Sequence, residues 1–279
     1  MLYPKISIVT PNYNQVKFIE QTINSVLNQN YPNLEYIIID GGSTDGSIEI
    51  IKKYESQLSY WISEPDNGMY DAIQKGFDRS TGDIMGWINS NDILHPDSLK
   101  KIALLFISQP AVKWIQGYPN VINETSEIIA KREPRYKIGA FLLRRYRIDF
   151  VFIQQESTYW RRDLWERAGN RISTSYRFAG DFELWIRFFK YEKLYVTNEY
   201  IGSFRKRKGQ LSSINTFEYI NECNSIINTY IDSLSPYSRY KLKILKLIES
   251  FLYNRLRFIY KWISLYEEID MSSVLNLKK

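Results

Sequence analysis

The sequence predicts an α/β protein: a mostly parallel central sheet flanked by helices, with an α-helical C-terminal extension. Three observations carry that expectation. Short β-branched runs alternate with helically spaced segments through about residue 110. The runs are apolar throughout rather than every second residue, the pattern of strands covered on both faces. From about residue 215 onward the spacing is helical to the end.

The elements follow in order. Residues 6–10, ISIVT, form a first strand, stopped by Pro11. From Phe18 to Leu27 apolar residues fall at 18, 19, 23, 26 and 27, a helix that Tyr31-Pro32 closes. EYIII at 35–39 is a second strand, ending at Asp40; DGGSTDGS follows, and a helix resumes over 47–54. WIS at 61–63 is a third strand, closed by the turn EPDNG, and Met69 to Phe77 reads as a helix. IMGWI at 84–88 runs into NSND, after which Pro96 opens another helix at its favoured first position. VKWIQG, NVINE and EIIAKRE read as strands of a mixed sheet or hairpin. Phe152 to Arg161 reads as a strand running into the helix DLWERAG. Residues 181–190 form a strong helix opened by Asp181. YVTNEYIGSFRKRKGQLS is a strand or loop rich in base. There are no repeats and no low-complexity segments.

A chain of 279 residues allows one large domain or a domain with an appendage. At 44% hydrophobic and 24% charged it is neither disordered nor fibrous. Its single cysteine, Cys223, excludes an intramolecular disulfide and a Cys-based zinc cluster. Its single histidine, His95, excludes multi-His metal sites and disfavours His-based triads. No apolar run reaches the ~18–20 residues of a membrane span, and the opening residues carry too short an apolar stretch for a secretory signal. A soluble intracellular protein is the expectation. Charge is uneven: residues 1–120 hold 9 Lys+Arg against 13 Asp+Glu, whereas residues 121–279 hold 28 against 18. The second part is therefore where anions should be met, unless the excess is a solvated basic face.

In open parallel sheets ligands bind beyond the carboxyl ends of the strands. PNYN, DGGSTD, EPDNG and NSND all follow strands, so they should converge on one cleft. DGGSTDG is neither a GxGxxG fingerprint nor a Walker A loop; Asp40 could accept a hydrogen bond from a base or ribose, or the segment could be a turn capped by Ser43 or Asp45. Asp92 beside Asn91 is the kind of oxygen cluster that holds Mg²⁺ or Mn²⁺ bridged to a diphosphate, or it caps the helix before Pro96. Asp181 at a helix N-terminus is a cap or a catalytic base. Arg205, Lys206, Arg207 and Lys208 could fold over a diphosphate. A nucleic-acid patch is their rival, but no DNA- or RNA-binding motif accompanies them, and no nucleic-acid partner is expected.

Taken together, these segments resemble the family 2 glycosyltransferases, with their nucleotide-diphosphosugar-binding GT-A fold. The likeness covers about residues 5–212. ISIVTPNYN at 6–14 looks like the opening strand and nucleotide loop; VLNQNYPNLEYIIIDGGSTDGS at 26–47 is similar to the second block. SEPDNGMYDAIQKGFDRSTGDIMGWINSND at 63–92 looks like the third, ending in the metal-binding motif. QQESTYWRRDLWERAG at 154–169 resembles the acceptor-side segment, and FAGDFELWIR at 178–187 the segment carrying the general base. The resemblance implies a GT-A domain over 1–212, nucleotide-binding to about 110 and acceptor-side beyond, and a helical extension over 213–279.

It implies inverting sugar transfer from a nucleotide-sugar, a UDP-sugar foremost, to a hydroxyl of a glycan or lipid-linked acceptor in surface polysaccharide synthesis. Asp181 matches the base and Asp92 the ligand of a Mn²⁺ or Mg²⁺ ion, with Asn91 beside it. Thr10, Pro11, Tyr13, Asp40 and Asp66 match positions that hold the base and ribose, and Arg205 to Lys208 would supplement the metal. Two departures stand out. Asn91 replaces an aspartate common in relatives and brings no charge, and Gly41 replaces a second aspartate after Asp40. The alternatives are a catalytically inactive sugar-nucleotide or glycan-binding partner of another transferase, and a nucleotidyltransferase, whose basic glycine-rich loop is missing.

Residues 236–266 repeat apolar residues at spacings of three, four or seven, with six Lys+Arg and one acid between Tyr240 and Ile263. The segment reads either as a helix packed on the enzyme domain or a homodimer partner, or as an amphipathic helix on an anionic membrane surface. The second reading expects a cytoplasmic protein, peripheral on the inner face of the cell membrane.

Overall fold

β1 (Ile6–Asn12) is buried along its whole length because apolar clusters lie on both of its faces: Ile6 and Ile8 point into one, Val9 into the other. The computed structural model describes residues 3–132, 152–207, 216–255 and 266–269. From β1 the chain winds through α1 (Ile19–Leu27), β2 (Leu34–Asp40), α2 (Ser47–Lys53), β3 (Tyr60–Ser63), α3 (Met69–Arg79) and β4 (Ile84–Trp87). β2 and β4 pair parallel with β1 on its two sides, and β3 pairs parallel with β2. α1 contributes Ile19, Ile23 and Val26 to one cluster, and α3 contributes Tyr70, Ala72, Ile73 and Phe77 to the other. The sheet is thus covered on both faces, and the strands' carboxyl ends share one rim.

The second half adds β5 (Ile93–Leu94), α4 (Ser98–Ser108), β6 (Trp114–Ile122), β7 (Ile128–Lys131), β8 (Thr158–Arg161), α5 (Arg162–Arg167), α6 (Gly180–Phe188) and β9 (Leu194–Arg205). α7 (Thr216–Asp232), α8 (Pro236–Arg255) and β10 (Tyr266–Ile269) follow. The sheet order is β10-β9-β6-β8-β4-β1-β2-β3, with β5 paired to β9 and β7 to β6. β8 runs antiparallel to both β4 and β6, so the sheet is mixed on that side, as expected.

Three expectations are corrected. VKWIQG and NVINE are one strand, β6, because Gly117 and Pro119 lie within a ladder shared with β9 that shifts register around them. FIQQE is not strand: Gln155–Ser157 make one 3₁₀ turn before β8 begins at Thr158. The tail is not helical to its end, since Tyr266–Ile269 pair parallel with Leu194–Thr197 of β9. Helical spacing is a local signal and cannot register a free sheet edge elsewhere in the chain.

Trp87, Trp114, Trp160, Trp165 and Trp185 are all buried in one cluster. Trp87 of β4 stacks on Trp185 of α6 with ring centroids 5.5 Å apart and planes 8° apart. Phe77 of α3 sets its edge against Trp87 and Trp160. These contacts fix α6 to the sheet. α7 joins the same cluster through Cys223, Ile226 and Ile227, so the first helix of the C-terminal extension is part of the main core. Among the described residues no helix is long and apolar enough to cross a membrane.

Candidate active site

Asp40, at the end of β2, is fully buried and joins three strand ends. Its Oδ1 accepts hydrogen bonds from Asn12 Nδ2 (2.6 Å) and Ser43 Oγ (2.5 Å). Its Oδ2 accepts from the Ser43 N–H (2.9 Å), the Gly42 N–H (3.1 Å) and Ser63 Oγ (2.6 Å). Asp45 extends the lacing: it accepts from the Val16 N–H (2.9 Å) and, at the start of α2, from the Ser47 N–H (3.0 Å). The expectation that Asp40 meets the base is corrected, because its oxygens are occupied by the protein's own donors. Asp40 holds the loops in place.

Thr10 and Pro11 are buried as well, and Thr10 Oγ1 lies 3.1 Å from the Tyr36 hydroxyl. Tyr13 in that loop faces outward, 60% exposed. Asp66 is half-buried, and it stands over Gly41. A Cβ at position 41 would fall 2.5 Å from Asp66 Oδ2. The space a side chain at 41 would occupy is therefore filled by the Asp66 carboxylate, whose Oδ1 accepts from the Gly68 N–H (2.8 Å).

Asp92 follows β4 and is fully buried. Its Oδ1 accepts from the Arg205 N–H (2.8 Å) and its Oδ2 from Gln155 Nε2 (3.2 Å). Burial raises its pKa, against the opposing pull of the Arg205 N–H and the Arg205 and Arg207 charges. Glu156 is buried beside it, and burial and the Asp92 charge both push that carboxyl up. Glu156 also feels Asp181, so both acids of the site face one interior carboxyl group.

The basic run divides. Arg205 is wholly buried and does not face a ligand, a second correction. Its Nε donates to the Asn91 carbonyl (2.7 Å), Nη1 to the Asn123 carbonyl (2.9 Å) and Nη2 to Gln21 Oε1 (2.8 Å), over the Phe18 ring. It is the pin that holds the Asn91-Asp92 turn against α1 and the turn after β6. Lys206 is exposed, and Arg207 is close enough to act on Asp92 by charge. Lys208 lies outside the described residues.

The oxygens around Asp92 fit a hard divalent cation. Asn89 Oδ1 and Gln155 Oε1 are buried with no donor, and Glu156 Oε1 is a third such atom. Buried acceptors without partners are costly unless something supplies the missing charge. Among the described residues no group of three or more His, Cys, Asp or Glu side chains is placed to hold a metal ion, so an ion here would rest on Asp92 and amide oxygens and draw its other ligands from water and phosphate.

Asp181 opens α6 and is half-buried. Its Oδ1 accepts from the Phe182 N–H (2.7 Å), and the Tyr70 hydroxyl lies 3.1 Å away while also donating to the Phe178 carbonyl (2.8 Å). Gly180 is required there: a Cβ would meet the Tyr70 ring at 2.8 Å. Burial pushes the Asp181 carboxyl up to about 6; the Phe182 N–H and Tyr70 restrain the shift, and the Glu222 charge adds to it. Tyr70, Glu156 and Glu222 escape sequence reasoning. Tyr70 and Glu156 lie within the quoted blocks as an ordinary aromatic and an acid inside QQES, and Glu222 lies in no motif.

A parallel half-sheet with laced strand-end loops, continued by a mixed half that delivers a half-buried acid to the same rim, defines the GT-A class of nucleotide-sugar transferase folds. Solved structures agree. S. aureus TarS in complex with UDP-GlcNAc superposes with a TM-score of 0.65 at 17% identity, over 85% of this chain and 70% of that one. The mannosyltransferase PcManGT from Pyrobaculum calidifontis, in complex with GDP-Man and Mn²⁺, gives a TM-score of 0.58 at 14% identity, over 100% of this chain and 87% of that one. The chain belongs to glycosyl transferase family 2, whose family model matches residues 7–195. TuaG of Bacillus subtilis, described as a putative teichuronic acid biosynthesis glycosyltransferase, is 36% identical over 118 residues, 41% of this chain and 47% of its own length. An uncharacterized glycosyltransferase of Mycobacterium tuberculosis is 37% identical over 90 residues, 32% of this chain and 34% of its own. These alignments thus span less than half of the relatives' length.

Proposed function

We propose that the protein is an inverting glycosyltransferase that moves a sugar from a nucleotide-diphosphate donor, a UDP-sugar foremost, to a hydroxyl of a glycan or lipid-linked acceptor in surface polysaccharide synthesis. The observation that carries this reading is Asp181. It is a carboxylate at a helix start, oriented by Tyr70 and the Phe182 N–H, with its pKa lifted to about 6. A base poised near the working pH accepts a proton efficiently. Asp181 takes the acceptor hydroxyl proton as that oxygen bonds to the anomeric carbon. The bond from that carbon to the diphosphate oxygen breaks on the opposite face, and the electron pair leaves with the nucleoside diphosphate. One base with no carboxylate nucleophile suits this single displacement, and the configuration inverts.

Tyr13 offers an exposed ring at the nucleotide loop, and Asp66 an acceptor in the space above Gly41. Asp92, with Asn89 Oδ1 and Gln155 Oε1, would hold a Mn²⁺ or Mg²⁺ ion, which supplies positive charge to a departing diphosphate. Lys206 and Arg207 add charge from the end of β9. TarS bound to UDP-GlcNAc and the description of TuaG as a teichuronic acid biosynthesis glycosyltransferase support the donor and pathway class.

The test is nucleoside diphosphate release from a panel of UDP- and GDP-sugars with Mn²⁺ and crude glycan or polyprenyl-phosphate acceptors. Turnover by the wild type, reduced ~10²–10⁴-fold in Asp181→Asn with nucleotide binding retained, is the expected result. Tight nucleotide binding with no turnover of any donor would favour the inactive-partner reading, for which the uncharged Asn91 is the motive. Transfer by Asp181→Asn within threefold of wild type would move the base elsewhere.

A further inference from the structure

We infer that Glu222, on a helix outside the family-matched region, is a positioning residue that clamps the start of α6 and so aims Asp181 at the acceptor. The inference rests on the reading of Asp181 as the base. α6 has no side-chain cap of its own, and its N-cap residue is Ala179. The N–H groups of a helix's first turn need acceptors from somewhere. Here a carboxylate from α7 contributes to the turn leading into α6. Glu222 Oε1 accepts from the Arg177 N–H (2.9 Å), and Oε2 accepts from both the Phe178 (2.8 Å) and Ala179 (2.8 Å) N–H groups.

The same short segment carries the Phe178 carbonyl that receives the Tyr70 hydroxyl. Tyr70, Phe178 and Asp181 therefore form one unit, and Glu222 closes it from behind. α7 itself is anchored by Cys223, Ile226 and Ile227 in the tryptophan cluster, so the clamp stands on a rigid support. The family model's match ends at residue 195 and so does not reach position 222.

The clamp also adds a smaller charge effect to Asp181, whose shift comes chiefly from burial. The groups that face Asp181 are the Tyr70 hydroxyl of α3, the Glu156 carboxyl before β8, and Tyr219, Glu222 and Cys223 of α7. Of these, Glu222 is the carboxyl group on the partly exposed side of the cluster. A like charge near a carboxylate makes it a stronger base.

The experiment uses the full chain with Glu222→Ala and Glu222→Gln. A glutamine retains an acceptor oxygen for the Phe178 and Ala179 N–H groups and loses the charge. The first readout needs no substrate: hydrogen exchange of the peptide spanning residues 172–182. The expected result is exchange at 177–179 at least tenfold faster in Glu222→Ala and partly restored in Glu222→Gln. The second readout is kcat and KM against pH for the UDP-sugar turned over fastest with Mn²⁺. Expected are a kcat fall of about 10- to 100-fold in Glu222→Ala with donor KM within about threefold. In Glu222→Gln the acid limb of kcat moves to lower pH with much of kcat recovered. Unchanged exchange at 177–179 in both variants overturns the clamp, whatever the activity. Faster exchange with an unmoved kcat overturns its role in aiming Asp181. If Asp181→Asn retains transfer, the reading of the base fails, while the exchange result still reports separately on the clamp.

Discussion

At the scale of single residues, the chemistry divides between side chains that face the ligand space and side chains that hold them there. The position of Asp181 in the first turn of an apolar helix is legible because it is encoded locally; its role as base rests on the motif resemblance. Asp40 and Arg205 were legible as polar residues at strand ends, but their roles were not. Whether a carboxylate meets a ligand or three neighbouring turns depends on donors such as Asn12 and Ser63, far away in sequence. Gly41 is the converse case: its missing side chain leaves room that Asp66 fills. Gly41→Ala should push the Asp66 carboxylate out and lower UDP affinity about tenfold, the ~1.4 kcal/mol of one good hydrogen bond. Calorimetry with UDP and Mn²⁺ measures it, and unchanged affinity would remove Asp66 from the site. The same titration should show binding abolished by Asp92→Ala and only weakened by Asn91→Ala, since hard cations select charged oxygens. Asp181 makes a prediction independent of catalysis. Its folded pKa, about 6, lies above the ordinary carboxylate value, so ionisation costs stability as pH rises through that interval. Asp181→Asn should therefore melt at a higher temperature than wild type at pH 8, with the gap closing toward pH 4.

At the scale of elements, the parallel half was legible almost throughout, because each strand is a continuous apolar run ended by a polar turn. The mixed half was less so. β5 is two residues long, too short to have a period, and exists because β9 passes beside it. β10 likewise exists through the free edge of β9. What ties the halves together is aromatic: Trp87 at the end of β4, just before the Asp92 turn, stacks on Trp185, one turn beyond Asp181. The stack sets the distance between the Asn91-Asp92 turn and the helix that carries Asp181, and it sits among Trp114, Trp160 and Phe188. Trp185→Ala should cost about 3–5 kcal/mol, the usual range for emptying a buried indole site. Urea denaturation monitored by far-UV dichroism would show a lower midpoint with the slope retained. A loss under 1 kcal/mol would mean that the cluster collapses around the gap and does not brace α6.

At the scale of the whole molecule, the two ends of the sheet behave differently. At the rim away from the site, Glu35 of β2 accepts from Ser7 Oγ (2.6 Å) and the Thr81 N–H (2.7 Å) and pairs with Lys5 Nζ (2.7 Å). Burial opposes its ionisation, yet these bonds hold the carboxyl down at about 2. A depressed folded value contributes stability above the unfolded pKa and loses it as pH falls through the folded one. Glu35→Gln should thus be less stable than wild type at pH 7, with the difference vanishing between about pH 4.5 and pH 2. The other end of the chain presents a surface. Along α8, Tyr237, Tyr240, Ile244 and Leu247 recur at helical spacing and are all exposed, Leu247 by 72%. Leu242 on the opposite side is buried, so over residues 237–247 the described side chains are packed on one face and bare on the other. Arg239, Lys241 and Lys243 lie among the exposed apolar residues. We propose that this face lies on an anionic membrane, with the rings at the acyl boundary and the bases at the phosphates. Each base near such a surface adds about 1 kcal/mol. A lipid-linked acceptor would then share one plane with the enzyme. Ile244→Glu with Leu247→Glu changes only exposed positions, so the fold should survive, which a thermal melt checks. Wild type should co-sediment with vesicles containing phosphatidylglycerol, less so as salt rises, and the double variant should stay in the supernatant. Equal sedimentation of the two proteins, or none of either, would leave this face to a second copy of the chain, which sedimentation velocity would reveal as a dimer lost in the double variant.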